Sequence, residues 1–104
     1  MYLKLKNVER TFEVDAPTER TANGADKSFW VISFNVKEQL TTDEIENFFS
    51  PEHTAEMAFV TPLPNGTVYE FVASGYVNRV FNLIKHLPNG ECTIELQFSK
   101  NASK

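Results

Sequence analysis

The feature that most constrains the fold of this chain is an alternation of apolar and polar residues with a period of two. It is clearest near the C-terminus, where Cys92, Ile94, Leu96 and Phe98 alternate with Thr93, Glu95, Gln97 and Ser99. Successive side chains of a β-strand point to opposite faces of the sheet, so the pattern predicts a strand with one face in the core and one in solvent. Half-covered strands of this kind are typical of antiparallel sheets.

The same period predicts further strands along most of the chain. In residues 29–36, one face carries Trp30, Ile32, Phe34 and Val36, and the other carries Phe29, Val31, Ser33 and Asn35. Shorter strands are predicted at 2–6, 10–15, 55–61 and 67–73, and a long one at 76–87, which makes about seven in all. In the long strand, the pattern places Val77, Phe81, Leu83 and Leu87 on one face and Tyr76, Val80 and Ile84 on the other.

Turn residues separate these strands. The tetrapeptide Leu-Pro-Asn-Gly occurs at 63–66 and again at 87–90, each time between apolar segments. Asn-Gly readily adopts the positive φ that tight hairpin turns need, so both copies predict hairpins. Ser74-Gly75 is expected to form a third turn, and together the turns favour an antiparallel arrangement.

One short helix is predicted at about 41–50. Thr41 can serve as the N-cap, with Glu44 completing a capping box and Leu40 and Ile45 forming a hydrophobic staple. The helix is expected to end at Ser50-Pro51, because proline disfavours helical geometry in the residue before it.

Together these patterns predict an α+β domain that is mainly antiparallel β. We expect about seven strands, arranged as a small sandwich or a barrel-like sheet, with one short helix at about 41–50. The length of 104 residues corresponds to a single domain, 1–104. Residues 16–28 contain no large apolar side chain and are expected to form a polar loop, either an arm that orders on a partner or a tolerated hairpin extension. The polar tail at about 100–104 is expected to be disordered.

A search for catalytic, cofactor-binding and metal-binding residues identifies none. Cys92 is the single cysteine and lies in phase with core residues, which predicts a buried, inert thiol. His53 and His86 do not occur in the spacings of metal sites. No phosphate-binding glycine loop or nucleophile elbow occurs, and the carboxylates lie where surface charge is expected. The sequence therefore predicts a protein that is not an enzyme and needs no cofactor.

Charge and hydropathy limit the partners further. The formal net charge is −4, whereas nucleic-acid-binding domains usually carry a basic excess. The alternating N-terminus, Met1 to Lys6, lacks the apolar run of a signal peptide, and no segment approaches the ~20 apolar residues of a membrane span. We therefore expect synthesis in the cytoplasm, no membrane partner and no nucleic-acid partner.

Three segments resemble small proteins encoded in tailed phages and prophages of bacteria. The resemblance lies in a helix of the form LTxDEIxxxFS, a Gly-Tyr turn and an amphipathic terminal strand, here Leu40–Ser50, Gly75-Tyr76 and Cys92–Lys100. It covers about the C-terminal two-thirds of the chain and carries no functional residue. It implies a virion or accessory protein that packs against copies of itself or other virion proteins.

Two functions follow as hypotheses. The first is a self-associating assembly protein, such as a phage tail or baseplate component, that uses its sheet edges and the 16–28 segment. The second is a monomeric acidic inhibitor or adaptor from a mobile element that binds a host protein, with its charge steering association. Both make protein the partner, and the oligomeric state separates them.

Overall fold

The computed structural model describes residues 1–23, 27–61, 64, 66–72 and 78–101. Within them it has eight strands and two helices. In chain order these are β1 (Tyr2–Leu5), β2 (Phe12–Glu13), β3 (Thr18–Asn23), β4 (Lys27–Val36), α1 (Thr42–Phe48), α2 (Pro51–Thr54), β5 (Glu56–Val60), β6 (Thr67–Val72), β7 (Asn78–His86) and β8 (Cys92–Asn101).

The strands form two four-stranded antiparallel sheets that pack against each other. Sheet A has the order β2-β1-β5-β6, and sheet B has the order β3-β4-β8-β7. The sheets do not close into a barrel, so the structure selects the sandwich from the two predicted arrangements. The α+β class and the mainly antiparallel character are confirmed.

Sheet B is built on the two strands whose alternation is strongest. Residues 27–36 of β4 pair without interruption with residues 101–92 of β8. The inward side chains Trp30, Ile32, Phe34, Val36, Cys92, Ile94, Leu96 and Phe98 are all buried. Their predicted common face is therefore confirmed.

Sheet A is short-stranded, and α1 packs beside it. The cap of α1 is as predicted: the Thr41 hydroxyl accepts from the Glu44 N–H at 3.1 Å, and the Glu44 carboxylate accepts from the Thr41 N–H at 3.0 Å. Ile45 and Phe49 are fully buried. α1 ends before Pro51 as expected, but Ser50 then caps a second, four-residue helix, because proline is well suited to the first position of a new helix.

Aromatic rings fill the space between the sheets. The Trp30 ring of β4 stacks on Phe71 of β6, with centroids 3.7 Å apart. Phe34 of β4 meets Phe59 of β5 edge to face at 5.7 Å. Aromatic pairs in such geometries add about 0.5–1.5 kcal/mol beyond the area they bury. These contacts therefore join sheet B to sheet A through the core.

At one corner the two sheets are also joined by backbone hydrogen bonds. Val14, just after β2, forms an antiparallel bridge with Val36 at the end of β4. The Asp15 N–H donates to the Asn35 carbonyl at 3.1 Å, and the Lys37 N–H donates to the Glu13 carbonyl at 2.8 Å. We call this corner the seam.

The expected polar loop at 16–28 is wrong for most of its length, and the structure agrees instead with the alternative of a hairpin extension. Thr18–Asn23 forms β3, which pairs with residues 33–28 of β4. The pairing depends on hydrogen bonds between backbone groups. A strand at the edge of a sheet can therefore form without large apolar side chains. A side-chain hydrogen bond also joins β3 to β4, since the Glu19 carboxylate accepts from the Trp30 indole N–H at 2.9 Å. Residues 24–26 lie outside the described part of the chain.

The predicted faces of the strand at 76–87 are also wrong in part. The register shifts between Phe81 and Leu83, where Asn82 is an extra residue against β8. Phe81 lies opposite the buried Leu96, whereas Leu83 lies opposite the outward Glu95. A bulge inverts the phase of a strand, so Phe81 and Leu83 occupy different faces although they are two residues apart.

The remaining differences lie at a turn and at the C-terminus. At 87–90 the hairpin is present, with the Gly90 N–H donating to the Leu87 carbonyl at 3.1 Å. There Gly90 alone supplies the positive φ, +86°. β8 extends to Asn101, so the predicted disordered tail is wrong for its first two residues, because these pair with β4. Residues 102–104, Asn65 and the Ser74-Gly75 turn lie outside the described residues.

Candidate interaction surfaces

The described residues contain no group of three or more histidine, cysteine or acidic side chains that could hold a metal ion. One thiol–imidazole pair is present. Cys92 is fully buried, as predicted, and its Sγ lies 3.6 Å from Nδ1 of His86 and 3.6 Å from the Leu40 carbonyl. His86 Nε2 lies 3.2 Å from the Thr42 hydroxyl. The contacts tie the start of α1 to the β7–β8 hairpin.

Sequence reasoning treated Cys92 and His86 separately and missed this pair. The signal was present, because the two residues directly flank the five-residue segment 87–91 and so lie opposite each other in the hairpin register. His53 has a different role, since its Nδ1 lies 3.0 Å from the Phe48 carbonyl and 3.2 Å from that of Asn47. A histidine there can cap the last carbonyls of α1.

The outer face of sheet B carries the first candidate surface. Val80 and Leu83 on β7 have exposed fractions of 49% and 42%. The bulge at Asn82 places both side chains on the outer face, opposite Gln97 and Glu95. β7 is an edge strand, and the described residues provide no strand on its other side. We call Val80, Leu83 and this open edge the β7 surface.

A polar network lies next to the β7 surface. The Arg20 guanidinium of β3 reaches over β4 and donates to both carboxylate oxygens of Glu95, at 3.0 and 3.3 Å. Asn82 in turn donates to Gln97 at 3.2 Å. The hydrogen bond from Arg20 is the main cause that lowers the pKa of Glu95 below its ordinary value, and Asn82 adds to it against the opposing effect of burial. These hydrogen bonds hold the polar side chains beside the β7 surface in defined positions.

The outer face of sheet A carries the second candidate surface. An open cavity of about 310 Å³ lies there. Its outward lining consists of Lys4 from β1, Lys6 directly after β1, Glu56 and Ala58 from β5, and Glu70 from β6. Ala58 forms the floor, and the charged side chains surround it. We call these five residues the charged groove.

The sequence predicted that function would depend on surfaces but named no residue for either one. Val80 and Leu83 could be assigned only with the bulge known, and the charged groove depends on the order of strands in sheet A. Comparisons with protein-family models, curated proteins and solved structures gave no match. No helix in the described part of the chain is long and apolar enough to cross a membrane.

Proposed function

We propose that the protein is a non-enzymatic assembly protein that associates with copies of itself through the β7 surface. The observation that carries the proposal is the exposure of Val80 and Leu83, by 49% and 42%, beside an edge that the described residues leave unpaired. Exposed apolar residues next to each other on an edge strand are typical of contact sites.

The energetics favour covering this surface. Fully burying a valine or leucine side chain contributes about 1.5–3 kcal/mol, so covering two half-exposed side chains contributes about half of that each. The backbone groups along the open edge can also pair with another strand. The bulge and Lys85 interrupt that edge, and such features limit uncontrolled strand addition. A contact through the outward side chains is therefore expected to give a defined oligomer.

The finer part of the proposal is a virion component of the tail or baseplate type from a phage or prophage. It is supported by the resemblance of Leu40–Ser50, Gly75-Tyr76 and Cys92–Lys100 to small phage proteins. The hairpin of β3 and β4, which replaces the expected loop, offers a second edge for contacts with other subunits. Closed rings use different surfaces of one protomer in this way.

Light scattering over a concentration series tests the proposal. We expect the wild-type mass to rise above that of a monomer, and Val80→Thr/Leu83→Thr to lower it at each concentration. Threonine removes apolar area and retains strand propensity. Val80→Ile/Leu83→Ile is the matched control, because it changes the same two positions, keeps both side chains apolar and retains strand propensity.

Two results would contradict the proposal. A wild-type chain that stays monomeric at every concentration would overturn self-association and favour the acidic adaptor. A wild-type oligomer that Val80→Thr/Leu83→Thr leaves unchanged would show that the β7 surface is not the contact.

A further inference from the structure

Charge on the outer face of sheet A is separated by strand. Lys4 lies on β1 and Lys6 directly follows it, whereas Glu56 lies on the central strand β5 and Glu70 on β6, at the other edge of the groove. The register places Lys4 opposite Ala58, and Ala58 opposite Glu70. One row across three strands therefore reads as cation, small apolar residue, anion.

The charges of the groove do not neutralise each other within the chain. Lys4, Lys6, Glu56 and Glu70 form no side-chain ion pair or hydrogen bond with another described residue. Neighbouring strands are ~4.8 Å apart, so the backbones of Lys4 and Glu70 are about 10 Å apart with only the Ala58 methyl between them. The groove therefore presents separated positive and negative sides to whatever covers it.

This layout is self-complementary under one kind of two-fold symmetry. If two copies stack face to face about an axis parallel to the strands, β1 of one copy lies over β6 of the other. Lys4 then faces Glu70 of the second copy, Glu70 faces Lys4 of the second copy, and Ala58 meets Ala58. In the next row Glu56 meets Glu56 of the second copy, and this like-charge contact is offset by one Lys6 on each side of it. An axis across the strands would instead place lysine over lysine, which is repulsive.

We infer that the charged groove is a second self-association surface, whose occupant is the charged groove of another copy of this chain. The inference rests on the proposed function to the extent that both require self-association, but it uses the opposite sheet. Ala58 lets the two faces approach, and Tyr2, which is 40% exposed beside Val60, adds apolar area at one end.

The contact is expected to be weak and sensitive to salt. Three strands of about five residues cover roughly 14 by 17 Å, which is small for a stable interface. Its specificity comes from ion pairs at the surface, and these are strongly screened near 1 M salt, where the Debye length is about 3 Å. Association through the apolar β7 surface should not weaken in this way.

A charge-swap experiment tests the inference. Lys4→Glu and Glu70→Lys, each alone, should weaken the association of the groove about tenfold or more, because each places like charges opposite each other in both halves of the dimer. An equimolar mixture of the two variants should form a heterodimer, since both rows then place opposite charges together, one as the native Lys4–Glu70 pair and the other with its polarity reversed. The double variant Lys4→Glu/Glu70→Lys should recover the wild-type mass.

Controls separate this pairing from general effects of charge. Glu46→Lys makes the same charge change as Glu70→Lys on an exposed position of α1, and its mixture with Lys4→Glu should give no heterodimer. Thermal unfolding by circular dichroism should be similar for all variants, because the substituted side chains are exposed. Native mass spectrometry and light scattering give the masses.

The outcomes distinguish this inference from the proposed function. If Lys4→Glu and Glu70→Lys keep the wild-type mass while Val80→Thr/Leu83→Thr lowers it, the groove inference is overturned and the β7 proposal stands. If the charge swaps act and the β7 substitutions do not, the reverse holds. A heterodimer in the Lys4→Glu and Glu70→Lys mixture supports the groove, and a wild-type monomer at all concentrations overturns both.

Discussion

Sheets A and B have the same number of strands, yet different interactions hold them together. Sheet B rests on β4 and β8, which pair without interruption along their whole length. The strands of sheet A are two to six residues long, and the register between β5 and β6 shifts between Phe59 and Val60. Side-chain packing compensates for the short strand pairing of sheet A. The Phe12 ring packs against those of Phe48 and Phe49, with centroids 5.2 and 5.4 Å apart.

The difference shows that regular pairing and aromatic packing can stabilise two halves of one domain. Long pairs of strands satisfy many backbone groups in succession, so single side chains matter less to their geometry. Short strands depend on the few large side chains that cover them. Four changes, taken from the largest expected effect to the smallest, would break or sharpen this comparison.

Phe49→Ala should have the largest effect. Phe49 is fully buried and touches Phe12 in sheet A and Phe34 in sheet B. Removing a buried phenyl ring typically costs about 3–5 kcal/mol, because a cavity remains. Urea unfolding measures the loss. Phe48→Ala is the control, since Phe48 is only half-buried, and an equal loss for both would contradict the special role of Phe49.

Thr41→Ala tests whether α1 contributes to the stability of this half of the core. It removes the side-chain oxygen that accepts from Glu44 at the start of the helix, which should cost about 0.5–2 kcal/mol of unfolding free energy. Thr41→Ser is the matched control, because serine keeps the hydroxyl oxygen that accepts from Glu44 and is a favoured N-cap residue. An unchanged urea midpoint for Thr41→Ala would refute the role of the cap in stability.

Deleting Asn82 tests whether the bulge in sheet B is needed for the register of β7 or serves to limit association at the open edge. Without it the alternation of β7 becomes regular, with Val80 and Leu83 still outward and Phe81 and Ile84 still inward. We expect a native fold that loses about 0.5–1.5 kcal/mol with the Gln97 hydrogen bond. The straightened edge should also associate more strongly in light scattering. Loss of cooperative unfolding would show that the bulge is needed for the register.

Glu95→Gln should have the smallest effect, and one that depends on pH. The pKa of Glu95 is lowered in the folded chain from its ordinary 4.5, mainly by Arg20. The stability from this shift is therefore present above pH 4.5 and is lost as pH falls through the lower folded value. Because Arg20 is 64% exposed, the contribution is at most about 1 kcal/mol. Urea unfolding of both proteins across this pH range should show the difference disappearing in acid.

The parts of the fold that sequence predicts are those where one local rule acts alone. Period two located the faces of β4 and β8, and capping chemistry located Thr41 as the start of α1. β3 was missed because backbone pairing to β4, and not an apolar pattern, makes it a strand. The faces of β7 were missed because a bulge leaves no clear mark in the sequence beyond a polar Asn82.

The two surfaces were less predictable than the fold for a related reason. The charged groove brings together Lys4 and Glu70, which are far apart in sequence and meet only through the strand order of sheet A. The exposure of Leu83 follows from the bulge that precedes it. Properties of a face depend on register and order, whereas properties of a strand depend on its own residues.

The seam at Val14 and Val36 joins the two sheets along one edge of the sandwich and so can act as a hinge. Hydrogen bonds join the sheets there, and Lys37 also pairs with Asp15 at 3.1 Å. Trp30 lies six residues before Val36 on β4, about 20 Å along the strand, where the sheets touch through its stack on Phe71. Opening motions of the two sheets should therefore pivot at the seam and separate the sheets most near Trp30. As the single tryptophan of the chain, it is a natural fluorescent reporter of that opening.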